Sequence, residues 1–239
     1  MAFGPNSRVA QAPVSTAQID EGLRSYMLSV YNYMGLGLAL TGLVAFLTAS
    51  TPAIYVPIFS TPLKWVVMLA PLGFVFFLSF RIQKMSLGAA QLTFWAFATV
   101  MGLSMASIFL VFTGESIARV FFITAGVFGA MSLYGYTTKR DLSAWGSFLF
   151  MGLIGIIIAA LVNIFLQSSA LQFAISVIGV LVFTGLTAYD TQRIKEVYFE
   201  VAGHAEATGK AAIMGALSLY LDFINLFMML LQLFGQSRE

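Results

Sequence analysis

Seven apolar runs, each of about 20 residues, follow one another along the chain at roughly 28–50, 63–80, 87–111, 117–136, 144–167, 171–192 and 211–234. Each has the length a helix needs to cross a hydrocarbon layer about 30 Å thick. Alternating strand patterns are absent, and a bilayer admits only helices or closed barrels, because backbone groups there find no water to bond. The expected fold class is all-α, a polytopic membrane protein with seven transmembrane helices. The charge content agrees: only 9% of the 239 residues are charged, against about a quarter in soluble domains. Twelve cations and ten anions are too few to coat a water-soluble globule of this size.

Breakers separate the runs. Thr51, Pro52, Pro57 and Pro62 interrupt the first hairpin, Thr113 and Gly114 the third-to-fourth link, and residues 167–170 the fifth-to-sixth. Short links make consecutive helices antiparallel neighbours. Residues 1–26 read as a polar N-terminal tail; they lack the apolar core of a signal peptide and stay on the mature protein. Residues 27–235 form the transmembrane domain. Within it 193–210 is the one long polar link, expected to be a mobile loop. The only histidine, His204, falls there and reads as a solvated loop residue.

Orientation follows from the cations. Arg8, Arg24, Arg81, Lys84, Lys139, Arg140, Arg193, Lys195 and Lys210 lie on one side, and only Lys64, Arg119 and Arg238 at or beyond the other. The excess places the N-terminus in the cytoplasm and the C-terminus outside. Arg119 reads as a snorkelling interface residue. The scattered cations make no patch for nucleic acid. The absence of cysteine removes thiol chemistry and Cys-based metal or haem sites. No cofactor fingerprint, metal-ligand cluster or nucleophilic set appears, so the chain reads as a non-enzyme without cofactors. Glycines inside the spans, such as Gly102 with Ala106 and Gly126 with Ala130, have the four-residue spacing that lets membrane helices pack closely.

The informative residues are the ionisable ones at membrane depth. Asp222 lies near the middle of the seventh run, in ALSLYLDFINLF (216–227), where a carboxylate costs several kcal/mol unless neutralised, paired or hydrated. Asn225 shares its helix face. Asp190 sits near the cytoplasmic end of the sixth run, in AYDTQRIK (188–195). Consecutive antiparallel spans allow the two aspartates to face each other if the seventh helix enters the membrane a turn later than the apolar run begins. Arg81, in LSFRIQKMS (78–86), has a similar depth and could clamp one carboxylate bidentately. Tyr189 and Tyr220 are candidate supports. Two carboxylates offer hard oxygen ligands to calcium but too few for a tight site, so binding there would be weak and transient.

These two motifs, with GLSMASIF (102–109) in the third run, resemble the bacterial branch of the Bax inhibitor-1 family, also called the transmembrane BAX inhibitor motif family. The resemblance covers about residues 25–234. It implies six helices arranged around a central hydrophobic seventh in the bacterial inner membrane. For the bacterial members with known activity it also implies a pH-sensitive calcium leak, in which aspartates on the sixth and seventh helices share a hydrogen bond and a second-helix arginine latches the closed state. By motif, the aspartates are Asp190 and Asp222 and the arginine is Arg81. Here Ile82 and Gln83 stand where a run of arginines is common in those relatives, and the loop between the aspartates is longer. In this the chain is similar to the proteobacterial subgroup that includes the modulator of the FtsH membrane protease.

Two functions follow as expectations. One is a cation leak through the bilayer, gated by the paired aspartates and carrying calcium. The other is an interaction protein that docks on a membrane protease complex through its N-terminal tail. An intramembrane aspartyl protease is disfavoured: such enzymes pair Tyr-Asp with Gly-x-Gly-Asp, and here the second aspartate follows Leu219, Tyr220 and Leu221.

Overall fold

A computed structural model describes residues 16–238. Most of the segment expected to be a polar tail therefore lies outside the described residues. The rest is helical: α1 (Thr16–Ser50), a short α2 (Pro52–Phe59), α3 (Leu63–Arg81), α4 (Leu87–Val111), α5 (Gly114–Thr137), α6 (Ser143–Leu166), α7 (Ser169–Val201) and α8 (Ala205–Phe234). A single 3-10 turn, Ile82–Lys84, follows α3. All but α2 are long and apolar enough to cross a membrane, which makes seven. Among the described residues there is no strand beyond an isolated bridge between Phe112 and Ser237.

Local chemistry sets the helix ends. Ser86, Thr113 and Ser168 each accept a hydrogen bond at 3.3 Å from the N–H three residues on, satisfying an orphan donor at the start of α4, α5 and α7. The end of α6 turns through Gln167, whose φ of 49° is left-handed. Asn163 secures that turn by accepting from the Ser168 N–H at 3.0 Å.

Two expected links are shorter than the hydropathy suggests. The loop expected at 193–210 is helix at both ends, with only residues 202–204 between α7 and α8. Gly203 makes this turn with φ +92°, a conformation that a Cβ disfavours. The physical reason is that hydropathy reports where a helix leaves the hydrocarbon, whereas its backbone bonds continue for as long as no breaker intervenes. Lys210 and Glu206, 2.8 Å apart at i, i+4 spacing, and Thr208 Oγ1 donating to Val201 O at 3.0 Å reinforce the turn. His204 is exposed and opens α8, without capping it through its side chain. By the same logic α1 begins at Thr16, so residues 16–26 of the expected tail are helix. The first hairpin, read as a proline-broken link, contains α2, with Pro52 at its first turn, where a missing N–H costs nothing.

The last helix is the most enclosed. About 67% of the apolar stretch of α8 is buried, against 11% for α6. Its neighbours are chiefly α1, α4, α5 and α7, while α3 packs mainly on α4 and α6 on α7. The outward faces of α3 and α6 carry Phe80, Trp65, Phe165 and Phe148, all exposed. Such a continuous apolar exterior is compatible with lipid and not with water.

Glycines divide by environment. A Cβ at Gly102 would lie 2.8 Å from Thr41 O, so α4 and α1 approach there as the small-residue spacing implies. Gly126, in contrast, has nothing within 4 Å.

Candidate functional site

Antiparallel packing of α7 on α8 brings two polar stripes face to face. Asp190 and Arg193 lie on one face of α7, and Ser218, Asp222 and Asn225 recur at i, i+4 and i+7 on α8. Gly215 lets the helices close together, since a Cβ there would meet the Ile194 side chain at 3.1 Å. Asp222 is 5% exposed, and its Oδ2 is buried without a hydrogen-bond partner. Asp190 is half-buried and near enough for each carboxyl to feel the other.

Both aspartates open into a cavity of about 480 Å³, shared with Arg193, Ser218, Tyr189 and Asn225. A second cavity of about 430 Å³ leads from Asp190 and Arg193 past Gln83, Glu200 and Lys210, toward the end of the bundle where the cations gather. Asp190 and Arg193 line both and so stand at the junction.

The sequence candidates separate clearly. Asp190, Asp222, Asn225 and Tyr189 meet in one cavity. Tyr189 rests on Gly146 of α6, where a Cβ would lie 2.4 Å from its ring. The Asn225 amide donates to Leu221 O at 2.8 Å. Tyr220 is elsewhere: fully buried, it bonds Thr41 Oγ1 at 2.6 Å and meets Phe97 edge-on at 5.1 Å, tying α8 to α1 and α4. Arg81 is exposed at the end of α3 and lines neither carboxylate cavity; Ile82 and Gln83 line the outer one.

The cation beside Asp190 is Arg193, three residues along the same helix. Sequence reasoning missed it, although Asp-x-x-Arg is the spacing that places two side chains on one helix face. The aspartate cavity ends at Asn225 and Phe183. One turn further, Met229 packs into the notch of Gly179. Beyond that plug lies another polar cluster: Ser176 Oγ donates to Gln232 Oε1 at 2.9 Å, and the Gln172 amide donates to the same oxygen at 2.5 Å. Among the described residues no group of three or more His, Cys, Asp or Glu side chains could hold a metal.

The comparisons agree with this architecture. A 226-residue stretch is 49% identical to the inner membrane protein YbhL of Escherichia coli K12 and covers 94% of this chain and 97% of that one. An uncharacterized Rickettsia prowazekii protein is 53% identical, covering 92% and 93%. An uncharacterized Caulobacter vibrioides protein is 46% identical, covering 98% and 97%. The family model described as "Inhibitor of apoptosis-promoting Bax1" matches residues 23–239, and the chain belongs to that family.

Proposed function

We propose that this protein is a pH-responsive cation leak of the inner membrane, with calcium as the ion and the Asp190–Asp222 pair as its sensor. The observation that carries the proposal is the shared cavity: two carboxyls from adjacent helices face one space of about 480 Å³, and Asp190 also borders a passage toward the cation-rich end. Two ionised carboxylates about 4 Å apart repel by roughly 4 kcal/mol at an effective dielectric of 20. A proton between them removes that repulsion and lets α7 and α8 stay closed. Losing it favours separation and hydration of the interface.

The paired carboxyls act as a transient, weak cation site rather than a coordination cage. The Met229–Gly179 contact closes the path between Asn225 and the Gln172–Ser176–Gln232 cluster. The proposed orientation puts the N-terminus and the cation-rich end in the cytoplasm and the C-terminus in the periplasm. The test is calcium entry into dye-loaded liposomes holding the purified protein, scanned against pH. Protein-dependent, pH-dependent entry supports the reading, and entry equal to that of empty liposomes at every pH overturns it.

A second reading, docking on a membrane protease complex, draws on one observation: α1 continues beyond its apolar stretch and exposes Asp20, Glu21 and Arg24 to a soluble partner. Replacing the exposed Asp20 and Glu21 by Lys, which keeps the buried Leu23 and Tyr26 in place, separates the two, since it would abolish protease modulation and leave ion entry intact.

A further inference from the structure

Helices α1 and α5 both pack on α8, but toward each other they are bridged by the Tyr31–Ser132 hydrogen bond rather than closely packed along their length. What lies between them is a cavity of about 670 Å³, bordered by Met27 and Tyr31 of α1, Phe128 and Tyr136 of α5 and Phe223 of α8. That volume is within the range of about 300–1,000 Å³ that holds a small-molecule ligand. From Arg24 to Met34 the cavity follows ten residues of α1, a rise of about 15 Å at 1.5 Å per residue. This is half of a hydrocarbon layer about 30 Å thick, the depth of one leaflet.

The face that α5 turns to this space is built for close approach; Tyr31 of α1 reaches across to Ser132, and the wall around Gly129 is left open. A Cβ on Gly129, which lines the cavity, would have nothing within 4 Å. On the same helix a Cβ on Gly135 would be 2.2 Å from Ala188 O, so α5 is tightly packed on its α7 side and vacant toward α1. The polar atoms in the wall make no unmet demand. Tyr31 Oη and Ser132 Oγ bond at 2.5 Å, and Ser132 Oγ and Thr191 Oγ1 at 3.0 Å. The floor is therefore apolar to whatever enters.

The mouth has a definite charge. Arg24 is exposed there, and Lys195 donates to Tyr136 O at 3.1 Å with its ammonium 5.4 Å from that ring's centroid. No carboxylate is among the residues that line the cavity. Asp20 and Glu21, four and three residues before Arg24, are the nearest acidic residues along α1, and neither lines the cavity. An apolar slot one leaflet deep with cations at its interfacial end complements an acyl chain whose headgroup is negative.

We propose that the α1/α5 cleft is a binding site for an anionic phospholipid, one acyl chain lying between Met27 and Phe128 and the phosphate at Arg24. The site is separate from the aspartate cavity, and its test reads lipid contact rather than ion flux.

The full-length protein is reconstituted with trace photoactivatable phosphatidylglycerol or phosphatidylcholine, each carrying a diazirine on one acyl chain, and the labelled peptides are mapped. The phosphatidylglycerol probe should label α1 and α5 peptides around Met27 and Phe128 above those of α3 and α6, although these also present apolar faces. Its preference over phosphatidylcholine at that site should be about fivefold, the weight of one interfacial cation. Arg24→Gln should erase the headgroup preference while leaving the fold untouched. Gly129→Leu, which grows into open space, should abolish site labelling in protein that remains monodisperse. Labelling spread evenly over α1, α3, α5 and α6 by both probes means annular lipid only and overturns the proposal. So does α1/α5 labelling that survives Gly129→Leu or that shows no headgroup preference in the unmodified protein.

Discussion

Met229 of α8 sits against the bare backbone of Gly179 on α7, so close that a Cβ on the glycine would lie 2.8 Å from both its Cγ and its Sδ. This contact separates the aspartate cavity from the polar cluster around Gln232, and it is the apolar step that a hydrated ion would have to pass. Hydrophobic constrictions gate by excluding water. Replacing Met229 by Ser should therefore raise calcium entry into liposomes, by about tenfold if the lowered barrier is roughly 1–2 kcal/mol. Entry that stays at the level of the unmodified protein, in a preparation whose pH dependence is intact, would place the barrier elsewhere.

Asparagine keeps the shape of a protonated aspartic acid and cannot ionise. With Asn at 190 or 222 the repulsion that would part α7 from α8 never develops, so leak should stay low and the pH dependence between about pH 6 and 8 should flatten. The sign is specific: under the proposed gating the unmodified protein should leak more as pH rises, and neither variant should follow. Asp222→Asn should keep the fold, because the asparagine amide can donate to Asp190 as the protonated acid would. A pH response that survives both single substitutions would make the pair structural.

Apolar run length alone located the seven membrane-crossing helices; α4 starts and ends where the run does, and α3 and α6 lie within a residue of theirs. The shared cavity of Asp190 and Asp222 was foreshadowed by the antiparallel order of two consecutive spans. What the sequence left illegible is what hydropathy does not measure. The helical continuation of α7 to Val201 depends on backbone bonds that charged side chains tolerate, so a polar stretch looked like a loop. The turning of Tyr220 away from the carboxylates, though it is only two residues from Asp222, reflects helical periodicity combined with which neighbour fills each face. That Arg81 and Arg193 lie at the ends of apolar runs was readable, but their lateral positions were not.

The tightest backbone approach gives a stability prediction. At Gly135 an added methyl would meet the Ala188 carbonyl itself, so relief requires α5 and α7 to move apart. Gly135→Ala should cost about 1–3 kcal/mol or more, read as a lower midpoint of thermal unfolding in detergent. Gly126→Ala, on the same helix, grows into open space and should fall within about 0.5 kcal/mol of the parent. Equal midpoints for both variants would show that the α5/α7 contact is looser than it stands here.

The last prediction decides which arginine restrains the pair. A latch must reach its carboxylate, and Arg193 borders both cavities beside Asp190, whereas Arg81 is exposed on α3 and borders neither. Guanidinium at the junction neutralises Asp190 when that carboxyl is ionised, which lowers the repulsion across α7 and α8 and favours closure. Removing it leaves a half-buried carboxylate without its counter-charge, a loss that falls on the closed state. Arg193→Ala should therefore raise leak at the pH where Asp190 is ionised. Lys at 193 should largely rescue it, since the effect at this distance is that of a positive charge beside Asp190. Arg81→Ala should change basal leak less, unless the end of α3 swings inward as the path closes. Measured side by side in liposomes at matched protein level, a larger effect at Arg81 than at Arg193 would transfer the latch to α3 and require that inward movement.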